Sequence, residues 1–323
     1  MANSRKSSSI DVVARELDAL LSRHATPRQS VAIAYSGGLD SSVLLHCTAS
    51  LSTSRDIALS AIHINHGISP NATAWATHCA RQADALGVAY STVSVNIVRN
   101  SPEGPEAAAR AQRYAAFDAL PVDWIALAHH LDDQAETVMH NLLRGAGVRG
   151  MAGMLPVRSK YLRPLLAVSR QQLLDYAEHY GLTWCDDESN LDLRYTRNYI
   201  RHAVMPMLAS RYPSAATQFA AAASRFADAQ NLLEDLARVD AGDTPLSFPF
   251  PVAVLARLEL THACNLIRCL LANNEQQVPS HARLSEFVRQ VREAGPDRHP
   301  QLDFGSCSLR VKNKQILLTP IAA

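Results

Sequence analysis

Apolar residues recur at helical spacing at Ile10, Val13, Leu17, Leu20 and Leu21, with Asp11 near the start of the run, which predicts an amphipathic helix over 10–21. The period then changes. Short apolar runs at 31–35, 58–64, 89–95 and 123–129 have strand length, and helix-like stretches near 42–50, 73–86 and 106–120 separate them. Strands that alternate with helices predict a parallel sheet in an α/β domain. From about residue 171 the pattern is helical, over 171–180, 196–208, 215–239 and 258–271. The stretch GDTPLSFPFP (242–251) interrupts it with turn residues, and GSCSLRVKNKQILLTP (305–320) alternates like a short hairpin. This organisation places a boundary near 212–214. An N-terminal helix within 1–25 packs on an α/β domain of 26–213, and a smaller, mainly helical domain fills 214–323. No internal repeat or low-complexity segment interrupts the chain.

Composition narrows the class. A chain of 323 residues is long enough for two ordinary cores, and 47% hydrophobic with 19% charged residues describes a folded globular protein. No run approaches the roughly 18–20 apolar residues of a membrane span. The start, MANSRKSSSI, has no apolar core after its basic residues, so a cytoplasmic location without membrane contact is expected. The six cysteines are scattered and contain no C-x-x-C pair, which gives zinc, disulfide and redox chemistry little support and reads as buried, reduced thiols. A net charge of +1 does not advertise a polyanionic partner. Its distribution does: between Arg144 and Arg211 ten basic residues face six acids, so that segment is a candidate for phosphate contacts.

Four segments carry candidate chemistry. In AYSGGLDSS (34–42), after the first strand and opening a helix, Gly37 and Gly38 let the backbone approach a ligand. Ser36, Ser41 and Ser42 add hydroxyls beside helix N-terminal N–H groups, a cradle suited to pyrophosphate. Asp40 cannot donate to phosphate, so its natural partner is a Mg²⁺ ion bridging the phosphates. The loop lacks the G-K-[ST] ending that serves β,γ cleavage. In HINHGISPNATAW (63–75), His63, Asn65, His66 and Gly67 sit at the carboxyl edge of the second strand, where open α/β sheets bind ligands.

The third segment, AHHLDDQAETVMHNLLRGAGVRGMAGM (128–154), pairs His129 with Asp133 and Asp132 with Glu136 at a spacing of four, on shared helix faces. Such carboxylates could hold Mg²⁺ or substrate ammonium groups, and His129 or His130 could handle a proton; complementing the helix dipole is the structural alternative. Arg144 and the following glycines read either as a flexible basic loop or as a connector. In CDDESNLDLRYTRNYIRHAVMPML (185–208), Arg194, Arg197 and Arg201 lie along one helix face, suited to phosphate or carboxylate capture or to salt bridges with Asp186, Asp187 and Asp192.

The loop resembles the SGGxDS loop of the ATP-pyrophosphatase (PP-loop) superfamily, whose members split ATP into AMP and pyrophosphate. With PEAAARAQRY, RPLL and the other elements in order, residues 30–210 resemble the tRNA(Ile)-lysidine synthetases, the third and fourth segments being specific to that branch. The resemblance implies a PP-loop domain with ATP and Mg²⁺ as cofactors and two substrates, free L-lysine and tRNA(Ile) with a CAU anticodon. It assigns Ser36, Gly37, Gly38, Leu39, Asp40, Ser41, Ser42 and His63 to the nucleotide and Asp40 to the metal. Asp40, Asp132, Asp133 and His129 take catalytic roles, and Arg110, Arg113, Glu136, Arg144, Arg194, Arg197 and Arg201 contact substrate. Ending at Ala323, the chain is expected to be a short form without the extra C-terminal domain of longer members. Alternatives are a tRNA thiolase built on the same loop and a non-catalytic adenylate-binding module; a homodimer is left open.

Overall fold

The computed structural model describes residues 2–65, 67, 69, 71–95, 105–187, 192–293 and 298–321, and side chains at 2–9 and 105–107 are left aside. His66 and the 188–191 part of the acidic turn, both singled out above, lie outside the described residues. The chain divides into two compact units, Met1–Phe226 and Ala227–Ala323. The division falls inside one long helix, Ala215–Ala241, whose start lies just beyond the boundary expected from the sequence.

In the first unit, α1 (Ala2–His24) leads into β1 (Ser30–Ala34), α2 (Leu39–Arg55), β2 (Ala58–Asn65), α3 (Ala72–Ala85), β3 (Ala89–Ser94), α4 (Pro105–Asp118), β4 (Trp124–Ala126) and α5 (Leu131–Leu143). Two further strands, β5 (Val157–Arg158) and β6 (Tyr161–Leu162), precede α7 (Arg170–His179), and α6 (Val148–Met151) sits between α5 and β5. The sheet order is β3-β2-β1-β4-β6-β5, parallel throughout except for β5. The expected α/β strands and helices are all present. β5 and β6, two residues each, are too short to give a periodic signal.

Burial on both faces explains why β1 reads as a continuous apolar run. Val31 and Ile33 point into a core shared with Val13, Leu17 and Leu21 of α1 and Leu173 of α7, and Ala32 points to the opposite core with Ile62, Phe117 and Ile125. The predicted helix at the start of the chain therefore closes one face of the sheet. Each fully buried Val or Ile there stabilises the unit by about 1.5–3 kcal/mol.

The predicted 196–208 helix is three pieces: α8 (Thr196–Tyr199), a π-helical turn over Ile200–Val204 and α9 (Met205–Arg211). The long helix Ala215–Ala241 is α10.

The second unit holds β7 (Phe250–Pro251), α11 (Val252–Ala256), α12 (Leu260–Asn273), α13 (His281–Glu293), β8 (Gln301–Phe304), β9 (Cys307–Lys312) and β10 (Gln315–Pro320). Its strands form one antiparallel sheet ordered β7-β10-β9-β8, which adds β7 and β8 to the expected hairpin, and helices remain the larger part of the unit. The hairpin β9–β10 turns at Asn313 and Lys314, both at positive φ, the geometry of a tight two-residue hairpin turn. Phe250, Leu266, Ile267, Leu270, Phe287, Leu309 and Ile316 form the core that joins sheet and helices.

Candidate active site

The order β2-β1-β4 makes β1 the strand from which the chain winds outward in both directions. The carboxyl ends of β1 and β4 therefore flank the point where open α/β sheets place their ligands. A cavity of about 670 Å³ opens there, lined by Ser36, Gly38, Asp40 and Ser41 from the loop after β1. His63 and Asn65 of β2, Arg110, Arg113 and Tyr114 of α4, and His129 and Asp133 after β4 complete its wall. That volume suits a nucleotide-sized ligand.

The loop is shaped by two glycines with different tasks. Gly37 has φ +85°, and a Cβ there would sit 2.7 Å from Cys79 Sγ, so both backbone and space require glycine. Gly38 caps α2, whose first-turn N–H groups lack intrahelical acceptors and point at the cavity end. The Ser36 and Ser41 hydroxyls are 3.1 Å apart, and Ser41 donates to the Gly38 carbonyl at 3.0 Å. The 182–187 segment braces the loop from behind, with the Cys185 N–H donating to the Gly37 carbonyl at 2.8 Å. Leu39 packs its side chain into the core, and Ser42 is buried outside the cavity, so these two meet a ligand through backbone at most.

Asp40, in the first turn of α2, has a side chain about one third exposed, 32%. Its Oδ1 is buried without a hydrogen-bond partner, and Oδ2 lies 3.6 Å from His130 Nε2. Burial raises its pKa, with His130 opposing. A partly buried carboxylate with one unpartnered oxygen fits a cation. Among the described residues no group of three or more His, Cys, Asp or Glu is placed to hold a metal. Mg²⁺ needs no such group when phosphate oxygens and water complete its shell around one or two carboxylates.

His63 is buried, and its Nδ1–H donates to the Tyr35 carbonyl at 3.0 Å, tying β2 to the root of the loop. Burial lowers its pKa, so the ring is neutral.

The acids of α5 meet the arginines of α8 and the π-turn. Arg197 Nε donates to Glu136 Oε2 at 3.0 Å and its Nη2 to Asp133 Oδ1 at 3.0 Å. Arg201 Nε donates to Glu136 Oε1 at 2.6 Å and its Nη2 to Asp133 Oδ1 at 2.7 Å. The arginines thus pair across the fold with Asp133 and Glu136, not with the neighbouring acids of their own segment. Burial alone would raise the pKa of Asp133, but His130, Arg197, His129 and Arg201 outweigh it and hold the carboxyl at about 2. Asp132 accepts from the Arg170 N–H at 2.8 Å. Its burial is likewise outweighed, by His130 and that backbone bond, and its pKa is lowered.

The two adjacent histidines differ in kind. His129 lines the cavity, and burial drives its pKa down to about 3, which keeps it neutral. His130, 1% exposed, faces Asp40, Asp132 and Asp133; burial would lower its pKa, but the three carboxylates raise it. The HH dipeptide flags both residues in the sequence, but only the fold shows which one sits among the acids.

The remaining expected contacts separate. Arg110 lies over the Tyr114 ring, 4.9 Å from its centroid, and lines the cavity with Arg113. Arg194 is exposed and chelates Asp192, and Arg144 is exposed beside His140; neither lines the cavity. The 144–154 glycine stretch is pinned. Buried Gln134 exchanges hydrogen bonds with the Met154 backbone at 2.8 and 2.9 Å, and Asn141 donates to the Gly150 carbonyl at 2.7 Å.

Fold and loop together define a PP-loop nucleotide-binding domain, and a PP-loop domain model matches residues 10–208. A model of the TilS substrate binding domain matches residues 250–317, within the second unit. The chain is 44% identical over 299 residues to the tRNA(Ile)-lysidine synthase of Alkalilimnicola ehrlichii, covering 90% of this chain and 67% of that one. It is 41% identical over 290 residues to that of an Azoarcus species, covering 87% and 64%. The chain belongs to the tRNA(Ile)-lysidine synthase family, and it spans about two thirds of the length of these curated relatives. Among solved structures, the U34-tRNA thiolase NcsA from Methanococcus maripaludis superposes with a TM-score of 0.57 at 20% identity, over 68% of this chain and 80% of that one. That likeness reflects the shared fold. No helix among the described residues is long and apolar enough to cross a membrane.

Proposed function

We propose that the chain ligates free L-lysine to the wobble cytidine of tRNA(Ile) with a CAU anticodon, using ATP, in the cytoplasm. The cytosine carbonyl oxygen attacks the α-phosphorus of ATP and pyrophosphate leaves. The lysine ε-amine then attacks the activated ring carbon, and AMP leaves as lysidine forms. The observation that carries this reading is the juxtaposition, at one sheet edge, of a phosphate-cradling loop with an acid–arginine cluster able to hold an amino acid at both its charged ends.

In this proposal the first-turn N–H groups of α2, with Ser36 and Ser41, take the departing pyrophosphate, where fixed donors stabilise developing charge best. Asp40 would hold Mg²⁺, which when bound neutralises phosphate charge. Asp133 and Glu136 offer carboxylates, and Arg197 and Arg201 guanidinium forks, for the amino acid. Asp132, ionised and beside His130, would orient the amine and take its proton, with His129 a neutral hydrogen-bonding wall. Arg110 and Arg113 face the cavity for the lysine carboxylate or ATP phosphate, and exposed Arg144 and Arg194 are left to tRNA phosphates. The thiolase alternative gains nothing from the shared fold.

The test is incorporation of labelled lysine into a CAU-anticodon tRNA(Ile) transcript with ATP and Mg²⁺. Lysine transfer with one AMP released per lysidine is expected. Pyrophosphate release without lysine transfer would discard the nucleophile, and no ATP cleavage with any tRNA would favour an adenylate-binding module.

A further inference from the structure

His130 Nε2 lies 3.6 Å from Asp40 Oδ2 and 3.4 Å from Asp133 Oδ2, and its Nδ1 lies 3.5 Å from Asp132 Oδ2. The ring is 1% exposed. It therefore stands between two parts of the site: the loop carried by β1 and the acid cluster carried by α5. All three separations exceed ordinary hydrogen-bond length, so the imidazole is shared between the carboxylates and not locked onto one. Asp133 meanwhile gives its other oxygen, Oδ1, to Arg197 and Arg201. A continuous line of charge runs from Asp40 through His130 and Asp133 to Arg201.

Such a line responds to ligands at either end. A cation or cation-bound nucleotide at Asp40 takes over the compensation of that carboxylate and leaves the imidazole to Asp133. Asp133 then needs its arginines less, and the Nη2 of Arg197, whose Nε stays on Glu136, is freed toward an incoming carboxylate. Removing the imidazole breaks the line, while Arg197 and Arg201 keep Asp133 compensated.

We propose that His130 is a positioning residue, acting through Asp40 and Asp133, that couples the nucleotide loop to the acid–arginine cluster so that nucleotide binding tightens amino-acid binding. The inference rests on the reading that the loop takes ATP and the cluster takes lysine. By linkage the effect is reciprocal and is carried by binding affinities.

The experiment titrates lysine calorimetrically into the wild-type chain and into His130→Gln and His130→Asn, alone and saturated with α,β-methylene-ATP and Mg²⁺. The wild type should bind lysine about fivefold or more tighter when loaded, while each variant binds either ligand within about threefold of wild type but tightens less than about twofold. Equal tightening in the variants would overturn the proposal. So would wild-type binding of both ligands without any tightening, a result that leaves the proposed function standing. Failure of the wild type to bind either ligand would overturn both. Variants that lose both ligands and melt early would show His130 to be a structural cap and end the inference.

Discussion

Arg201 is a cation that bridges two buried carboxylates. Its Nε and Nη2 reach Glu136 Oε1 at 2.6 Å and Asp133 Oδ1 at 2.7 Å, and Glu136 is only 3% exposed. Arg201→Met keeps the stem and removes the charge. Stripping one partner from a buried pair costs about 3–5 kcal/mol. Arg197 remains and the Arg201 side chain is 28% exposed, which lowers the expectation to about 2–3 kcal/mol. For a unit of this size, at roughly 2–4 °C per kcal/mol, its melting temperature should fall by about 4–12 °C. Scanning calorimetry at pH 7 reads this directly. The double variant Arg201→Met with Glu136→Met removes the orphaned charge along with its partner and should recover part of the loss. A single variant that melts like wild type, or a double variant as unstable as the sum of both singles, would refute the reasoning.

The same cluster gives a pH signature: Asp133, held at about 2 against an ordinary 3.8, contributes on the order of 2 kcal/mol to the first unit. Because the folded pKa is the lower one, that contribution is fully present above about pH 4 and disappears as pH falls through 2, which acid titration of the melting temperature would follow. Gly37→Ala forces a side chain into φ +85° and against Cys79, a cost of about 1–3 kcal/mol in strain, and nucleotide affinity measured by calorimetry should collapse; an unchanged affinity would remove the loop from phosphate binding. Asp40→Asn should fold normally by circular dichroism and release no pyrophosphate, and full release would strike Asp40 from the metal site. Arg194→Ala, at an exposed pair, should leave the melting temperature unchanged while weakening tRNA binding and flattening its salt dependence in filter-binding assays; unaltered tRNA affinity would confine Arg194 to its partner Asp192.

The α/β half was legible because both sheet faces are covered, so its strands read as apolar runs, and because each run is followed by a helix with its own period. The nucleotide loop was legible because its demands are local: two glycines, two hydroxyls and a carboxylate within a few residues of one strand end. The acid–arginine cluster was only half legible. Spacing put Asp133 beside His129 and Arg197 beside Arg201, but nothing in the chain says that segments more than sixty residues apart will meet, so the arginines read as partners for Asp186, Asp187 or Asp192. The glycine stretch after Arg144 read as loose because the residues that pin it, Gln134 and Asn141, are polar side chains of a preceding helix whose targets are backbone groups. In the second unit, α13 carries apolar residues at 284, 287, 288 and 291, a helical pattern outside the predicted elements, while β8 alternates over only four residues.

The environments of Asp40 and Asp133 assign them different work. Both lie beside the same imidazole, Asp133 buried and Asp40 partly so. Asp133 already faces two guanidinium groups, so its charge is compensated before any ligand arrives and its pKa is driven down. Asp40 has the shared imidazole nearest it and Arg170 and Arg201 farther off, its Oδ1 has no donor, and burial outweighs all three cations and pushes its pKa up. Environments that push two carboxyl groups apart in this way separate their roles. A divalent cation entering the cavity gains most at Asp40, where one carboxylate oxygen has no donor, and gains little at Asp133, where it would have to displace arginines. The same electrostatics support the proposal that metal sits at the loop and amino acid at the cluster.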